Sequence, residues 1–261
     1  MSEIAKTVLH NQKVKSQIIQ LIWEASDVIL EVYQSENVNL QEKADASPVT
    51  QADLAAHQVL VNGLAVVTPH IPVVSEEDSQ SFDIPRRHRT FWLIDPLDGT
   101  KEFIHRNGEF TCNLALISDQ RPVYGWVSVP VQNVLYHGGS DLGAVRVERK
   151  GNTVPIRCQP NTTPVRIVAS KSHLNSETKE FIDAIEGNIE LVQAGSSLKF
   201  LKIAEGQADL YPRLAPTCEW DTAAAHAVLE GAGGVVTQVN GAELQYGKTE
   251  ILNPHFIART F

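Results

Sequence analysis

The sequence predicts a mixed α/β fold in two parts, and three patterns carry that expectation. Apolar residues recur at helical spacing over residues 14–33. Short apolar segments between residues 91 and 147 read as paired strands. Beyond residue 165, strand-like and helix-like segments alternate, the sign of a sheet covered by helices. With 261 residues the chain suits one large domain or two ordinary ones and can bury a large core without staples.

In order along the chain, Val14, Ile18, Leu21, Ile22, Ala25, Ile29 and Val32 make the apolar stripe of the first helix. Residues 34–47 are polar and read as loop or hairpin. Residues 53–64 are helical again, with Leu54, Val59, Leu60 and Leu64 available for burial. Pro69 and Pro72 end that unit, and Val73-Val74 is a short strand running into Ser75-Glu76-Glu77-Asp78. Residues 91–94 are a second strand that Asp95-Pro96 should break. Residues 111–117 pair with 123–130, and residues 133–136 and 144–147 extend the sheet, with Gly138-Gly139 as the turn. The polar stretch 149–164, with three prolines, divides the chain into residues 1–152 and 153–261. Strands at 165–169, 190–192, 208–211 and 235–239 then alternate with helices at 177–185, 196–205 and 221–231.

Composition excludes several functions. Lys and Arg total 22 against 31 Asp and Glu, a formal net charge of −9. Nucleic-acid binding rests on phosphate neutralisation by Lys and Arg, and no basic patch offsets this balance. Cys112, Cys158 and Cys218 lie far apart, with no CxxC or Cys/His cluster, so neither a disulfide framework nor a zinc site is expected. A reducing, cytoplasmic compartment is the simplest reading. Residues 1–17 mix charges and lack the apolar core of a signal peptide. No stretch reaches the roughly 20 apolar residues of a membrane-spanning helix.

The chemistry concentrates where acids meet element ends. Trp92-Leu93-Ile94-Asp95-Pro96-Leu97-Asp98-Gly99-Thr100 delivers two carboxylates from an apolar strand onto a Pro/Gly turn. Oxygen ligands held rigidly suit a hard divalent cation, and the carbonyl of Leu97 is a candidate third ligand. The ordinary alternative is a surface turn, since Asp-Pro and Asp-Gly are turn dipeptides anywhere. Glu76 to Asp78, Asp53 after Ser47-Pro48-Val49-Thr50, and Asp221 after Cys218-Glu219-Trp220 repeat the pattern. Taken singly, Asp53 and Asp221 read as first-turn acids complementing a helix dipole, and Glu76 to Asp78 as a solvated loop. Four such sites beside apolar sequence fit one shared metal pocket better than four coincidences.

Together, Thr50-Gln51-Ala52-Asp53, Glu76-Glu77, Asp95-Pro96-Leu97-Asp98-Gly99-Thr100 and Trp220-Asp221-Thr222-Ala223-Ala224 with Ala232-Gly233-Gly234 resemble the inositol monophosphatase superfamily of lithium-sensitive, magnesium-dependent phosphatases. The order and spacing match over nearly the whole chain. Further segments resemble the bisphosphate nucleotidase branch: residues 43–50, 98–103, 106–111, 195–200 and 204–213. Ser75 stands where inositol phosphatases typically have glycine, a departure this branch tolerates.

The resemblance implies a layered αβαβα sandwich and a cytoplasmic enzyme, monomeric or homodimeric, with some relatives described at the inner face of the cell membrane. It implies that Glu76, Asp95, the carbonyl of Leu97, Asp98 and Asp221 hold two or three Mg2+, and that Asp53 and Thr100 relay a proton from the attacking water. Glu76 then counts among the catalytic residues as well as the ligands. The backbone of Gly99 and Thr100 would cradle a phosphate. Ser170, His173, Gly195, Ser196 and Lys199 would meet the ribose or a second phosphate, with Arg213 beside the 5′-phosphate. Without the resemblance, Lys199 reads equally as a solvated helix lysine and His173 as a surface loop residue. The implied reaction removes the 3′-phosphate of adenosine 3′,5′-bisphosphate, and possible substrates extend to its sulfated form. Alternatives are an inositol or sugar phosphatase with the same metal site, and a non-catalytic magnesium- or nucleotide-binding regulator.

Overall fold

Side-chain caps start the first three helices. The computed structural model describes the backbone of residues 1–35, 40–42, 48–160, 163–169 and 175–261, and their side chains except at 40–42, 48, 49 and 86. Helix α1 (Glu3–His10), not anticipated from sequence, is capped by the Ser2 hydroxyl, and α2 (Gln12–Gln34) by the side chain of Asn11. Ile18, Ile22, Ala25 and Ile29 form the buried face of α2, as their spacing requires. Strands β1 (Leu40–Glu42) and β2 (Pro48–Thr50) pair antiparallel, the hairpin alternative for that stretch. Helix α3 (Gln51–Val67) opens with a capping box, in which Thr50 and Asp53 satisfy each other's end of the first turn.

The first sheet follows chain order: β3 (Val73–Ser75), β4 (Thr90–Asp98), then, after the short α4 (Thr100–Ile104), β5 (Thr111–Ser118), β6 (Arg121–Val129), β7 (Val134–Gly139), β8 (Gly143–Glu148) and β9 (Thr153–Ile156). Only β3 and β4 run parallel. Along β4 to β7 both faces are largely buried, which explains the near-continuous apolar runs there, whereas β8 and β9 are more open to solvent. Trp92, Ile94, Leu114, Leu116 and Trp126 pack under α1 to α3, while Phe91, Leu93, Ala115, Ile117 and Val127 point to the opposite core.

Two turn expectations fail, each for a packing reason. Strand β4 continues through Asp95-Pro96 to Asp98. Its pairing with β5 slips between Asp95 and Asp98, and β3 pairs no further than Ile94, so Pro96 meets no ladder that needs its missing N–H. Gly138 and Gly139 lie inside β7, and the turn falls at residues 140–142. A Cβ at Gly138 would sit 2.6 Å from the Gly143 carbonyl oxygen, and one at Gly139 2.2 Å from that of Val123. These glycines serve close packing, not chain reversal.

Residues 152 and 153 lie in the β8–β9 hairpin, and the first strand of the second sheet begins at Val165. The second part comprises β10 (Val165–Ala169), α5 (Ser176–Asp183), β11 (Ile189–Gln193), α6 (Leu198–Ala204), β12 (Leu210–Arg213), α7 (Trp220–Gly231), β13 (Val235–Gln238) and β14 (Phe256–Arg259). The sheet order is β11-β10-β12-β14-β13, with β14 antiparallel to both neighbours. Helices α6 and α7 fill the space between the sheets, where Val228, Leu229 and Phe200 join the core of Phe91, Tyr211 and Phe256. With α1 to α3 outside one sheet and α5 against β12 of the other, the layers run αβαβα. Among the described residues no helix is long and apolar enough to cross a membrane.

Candidate active site

Strand ends and helix starts deliver the acids to one place. Glu76 follows β3, Asp95 and Asp98 end β4, Asp53 begins α3, and Asp221 begins α7. Carboxylate oxygens of Glu76, Asp95 and Asp221 lie within 4.8 Å of one another. Asp98 completes the cluster electrostatically and is held by Ser197 N–H at 2.6 Å, Thr111 Oγ1 at 3.3 Å and Asn113 Nδ2 at 3.5 Å. Cys218 N–H holds Asp221 Oδ2 at 2.9 Å.

Burial and mutual repulsion suit the cluster to a cation. Burial, and after it the charges of Glu76, Asp98 and Asp221, push the Asp95 carboxyl well above its ordinary range. Burial, then Asp98 and Glu76, push Asp221 up to about 8. Carboxylates that cannot all ionise alone can do so around a divalent cation, and an all-oxygen donor set suits a hard ion. The Leu97 amide donates to Asp95 Oδ1 at 3.1 Å, and its carbonyl faces the Thr100 hydroxyl at 3.5 Å.

Asp53 and Thr100 meet as expected, the hydroxyl 3.5 Å from Asp53 Oδ1. The other carboxylate oxygen accepts from Thr50 N–H at 2.8 Å and Thr50 Oγ1 at 2.5 Å. Burial raises the Asp53 pKa, with Glu76 adding to the rise and the Thr50 hydrogen bonds opposing it.

Beside the acids opens a cavity of about 530 Å3, lined by Asp98, Gly99, Ser196, Lys199, Arg213 and Asp221 from the expected set. Glu76, Leu97 and Thr100 belong to the acidic cluster and its rim. Gly99 has φ 94°, and a Cβ there would lie 2.1 Å from Ser196 Oγ, so only glycine fits. Gly195 stands behind the wall, where a Cβ would lie 3.0 Å from the Glu109 carbonyl oxygen. The Ser196 hydroxyl serves the protein's own main chain, with the carbonyl oxygens of Asp98 and Glu109 at 2.9 and 2.8 Å. Lys199 Nζ donates to the Ser196 carbonyl at 2.9 Å, and Arg213 donates to the carbonyls of Ala215 and Pro216. Ser170 and His173 lie outside the described residues.

Sequence reasoning missed Lys101, His105, Asn107, Asn175 and Tyr211 on the same wall. It also missed Thr111 and Asn113, although these are the polar positions that alternate at the start of an otherwise apolar strand, opposite Asp98 and Asp95 in register. Ser75 has a role of its own: its hydroxyl lies 2.8 Å from His57 Nδ1, tying β3 to α3.

A layered αβαβα fold carrying buried carboxylates at strand ends and a helix start offers an all-oxygen donor set to a divalent cation. The model of the inositol monophosphatase family matches residues 10–260, and the chain belongs to that family. The 3′(2′),5′-bisphosphate nucleotidase CysQ of Escherichia coli strain K12 is 46% identical over 242 residues, 92% of this chain and 97% of that protein. CysQ of Buchnera aphidicola subsp. Acyrthosiphon pisum is 39% identical over 251 residues, 95% of this chain and 94% of that one. The crystal structure of CysQ from Bacteroides thetaiotaomicron matches with a TM-score of 0.85 at 39% identity, covering 97% of this chain and 98% of that one.

Proposed function

We propose that the chain hydrolyses the 3′-phosphate of adenosine 3′,5′-bisphosphate to AMP and phosphate, using two or three Mg2+, and clears that by-product of sulfate assimilation in the cytoplasm. The sulfated nucleotide would be processed likewise to adenosine phosphosulfate. The gathering of Glu76, Asp95 and Asp221 within 4.8 Å beside a cavity bearing Lys199 and Arg213 carries this reading. The named activity of relatives that share up to 46% of residues over nearly the whole chain supports it.

Glu76, Asp95, the Leu97 carbonyl, Asp98 and Asp221 would hold the cations, which supply charge neutralisation at phosphorus and a lowered pKa for water. Asp53 accepts the Thr100 proton, so the Thr100 hydroxyl can orient the attacking water and receive its proton. Attack forms one P–O bond in line with the P–O3′ bond that breaks, and the departing 3′-oxygen takes a proton from water, so that AMP carries a free 3′-hydroxyl. Gly99 and Thr100 present main-chain N–H groups to the phosphate. Lys199 and Arg213 bring positive charge for the second phosphate. On this reading residues 1–152 supply most cation ligands, and residues 153–261 supply Asp221 and the nucleotide contacts.

Phosphate release from adenosine 3′,5′-bisphosphate, with and without Mg2+, tests the proposal against inositol 1-phosphate. Mg2+-dependent release that favours the nucleotide supports it. A marked preference for the inositol ester would move the chain to the inositol phosphatase reading. Tight nucleotide binding without release would make it a regulator.

A further inference from the structure

One serine, absent from the expected ligand set, joins two of the acids. Ser197 directly precedes α6 and is 1% exposed. Its main-chain N–H donates to Asp98 Oδ2 at 2.6 Å, and its hydroxyl donates to the Asp221 carbonyl oxygen at 2.9 Å. The same hydroxyl oxygen accepts from Asn113 Nδ2 at 3.0 Å. The hydroxyl has a single proton, so the Asn113 amide fixes which way it points. Three elements of different origin thus converge on it: β4 through Asp98, β5 through Asn113, and the first turn of α7 through Asp221.

We propose that Ser197 is a positioning residue that sets the spacing of Asp98 from Asp221 and thereby the affinity of the cluster for a divalent cation. The inference rests on the reading of that cluster as the cation site. Asp98 and Asp221 are both acids, and whenever both are ionised their repulsion favours separation unless a cation lies between them. A neutral tether bonded to both residues resists that separation without adding charge of its own. Its contact with Asp98 is also the shortest that this carboxylate makes, against 3.3 Å from Thr111 and 3.5 Å from Asn113. Groups that orient metal ligands change affinity by about 10- to 100-fold when removed.

The two halves of the tether can be separated experimentally. Ser197→Ala keeps the main-chain bond to Asp98 and strands the Asp221 carbonyl and the Asn113 amide, whereas Ser197→Thr keeps the hydroxyl. Calorimetric titration of the metal-free full chain with Mg2+ measures binding without reference to turnover. Ser197→Ala should weaken Mg2+ binding about tenfold. Asn113→Ala should weaken it less, and the double variant should be no worse than Ser197→Ala alone. Ser197→Thr should restore most of the affinity. The Mg2+ concentration for half-maximal phosphate release should shift in parallel, with kcat recovering at saturating Mg2+. If Ser197→Ala melts lower but binds Mg2+ as the wild type does, the residue is merely structural and the inference is overturned. If Ser197→Ala does not fold, unchanged Mg2+ binding by Asn113→Ala overturns it. A wild-type chain that binds no Mg2+ would instead bring down the reading of the cluster itself.

Discussion

Thr100 and Asp53 face each other across two elements, the Thr100 hydroxyl 3.5 Å from Asp53 Oδ1 while Oδ2 is committed to Thr50. On the proposed mechanism Asp53 has two duties, capping α3 with one oxygen and receiving a proton through the other. Asp53→Asn should lower kcat by about 10²- to 10⁴-fold, the range for a lost general base. The capping loss should cost about 1 kcal/mol, read by denaturant unfolding. Thr100→Ala should fall comparably in kcat with little change in stability, and Thr100→Ser should retain most of the rate. Equal rates for wild type and Asp53→Asn would remove this pair from the mechanism.

Stability of the metal-free chain should fall as pH rises. Asp221 has an ordinary value of 3.8 and a folded value of about 8, so between these limits the folded state holds a proton that the unfolded chain has released. Folding stability then has a negative slope with pH: the contribution is complete below about 4 and lost as pH passes about 8. Asp95, raised for the same cause, acts in the same direction. Mg2+ competes with those protons, so its stabilising effect should grow with pH. Melting curves from pH 5 to pH 9, with and without Mg2+, check this; parallel profiles would contradict it.

Asp95→Asn should separate stability from function. It removes a carboxyl whose ionisation burial opposes first, and Glu76, Asp98 and Asp221 after it, while Asn can still accept from the Leu97 amide. The metal-free variant should melt above the wild type at pH 8, by the equivalent of about 1 kcal/mol or more. Its Mg2+-induced rise in melting temperature should vanish, and phosphate release should fall by more than the roughly 10- to 100-fold typical of losing a group that only orients a ligand. A retained Mg2+ shift would exclude Asp95 as a ligand.

Lys199 should report on the second phosphate. It is 7% exposed, fixed by the Ser196 carbonyl and seated 5.6 Å from the Tyr211 ring centre. Lys199→Ala should raise KM for adenosine 3′,5′-bisphosphate about tenfold, the cost of one charged hydrogen bond. KM for adenosine 3′-monophosphate, which lacks the 5′-phosphate, should change little. Equal effects on both substrates would place Lys199 elsewhere in recognition.

Much of the candidate site was legible because its signals are local. An acid at the end of an apolar run, or in the first turn of a helix, is ordinary alone, but Asp53, Glu76, Asp95, Asp98 and Asp221 stand out as a set of such places and in the motifs that resemble the family. The long helices were legible from their apolar spacing, with α2 and α3 extending a few residues beyond the expected ends. What escaped was non-local. Ser197 looks like any serine in a Gly-Ser-Ser run until folding brings it to Asp98, 99 positions away. Lys101, His105 and Tyr211 share a wall although the first lies in α4, the second directly follows it and the third lies on β12, far along the chain. Strand β14, four residues long, has too short a pattern to show itself before its neighbours are known.

The height of Asp221 is set from beneath. Helix α7 rests on the first sheet at Gly125, where a Cβ would lie 2.0 Å from the Ala224 carbonyl oxygen, three residues past Asp221. The missing side chain works as a gauge block: its thickness fixes how far the helix stands off the strand and therefore how deeply its first acid reaches. Gly125→Ala would lift that support although Gly125 is not itself one of the acids. A displacement near 1 Å can cost on the order of a hundredfold in rate. Thermal melting and kcat of this variant should therefore both fall, and an unchanged kcat would show that α7 can settle back. Tolerance at the pocket is thus decided inside the hydrophobic core, at a residue with no chemistry of its own.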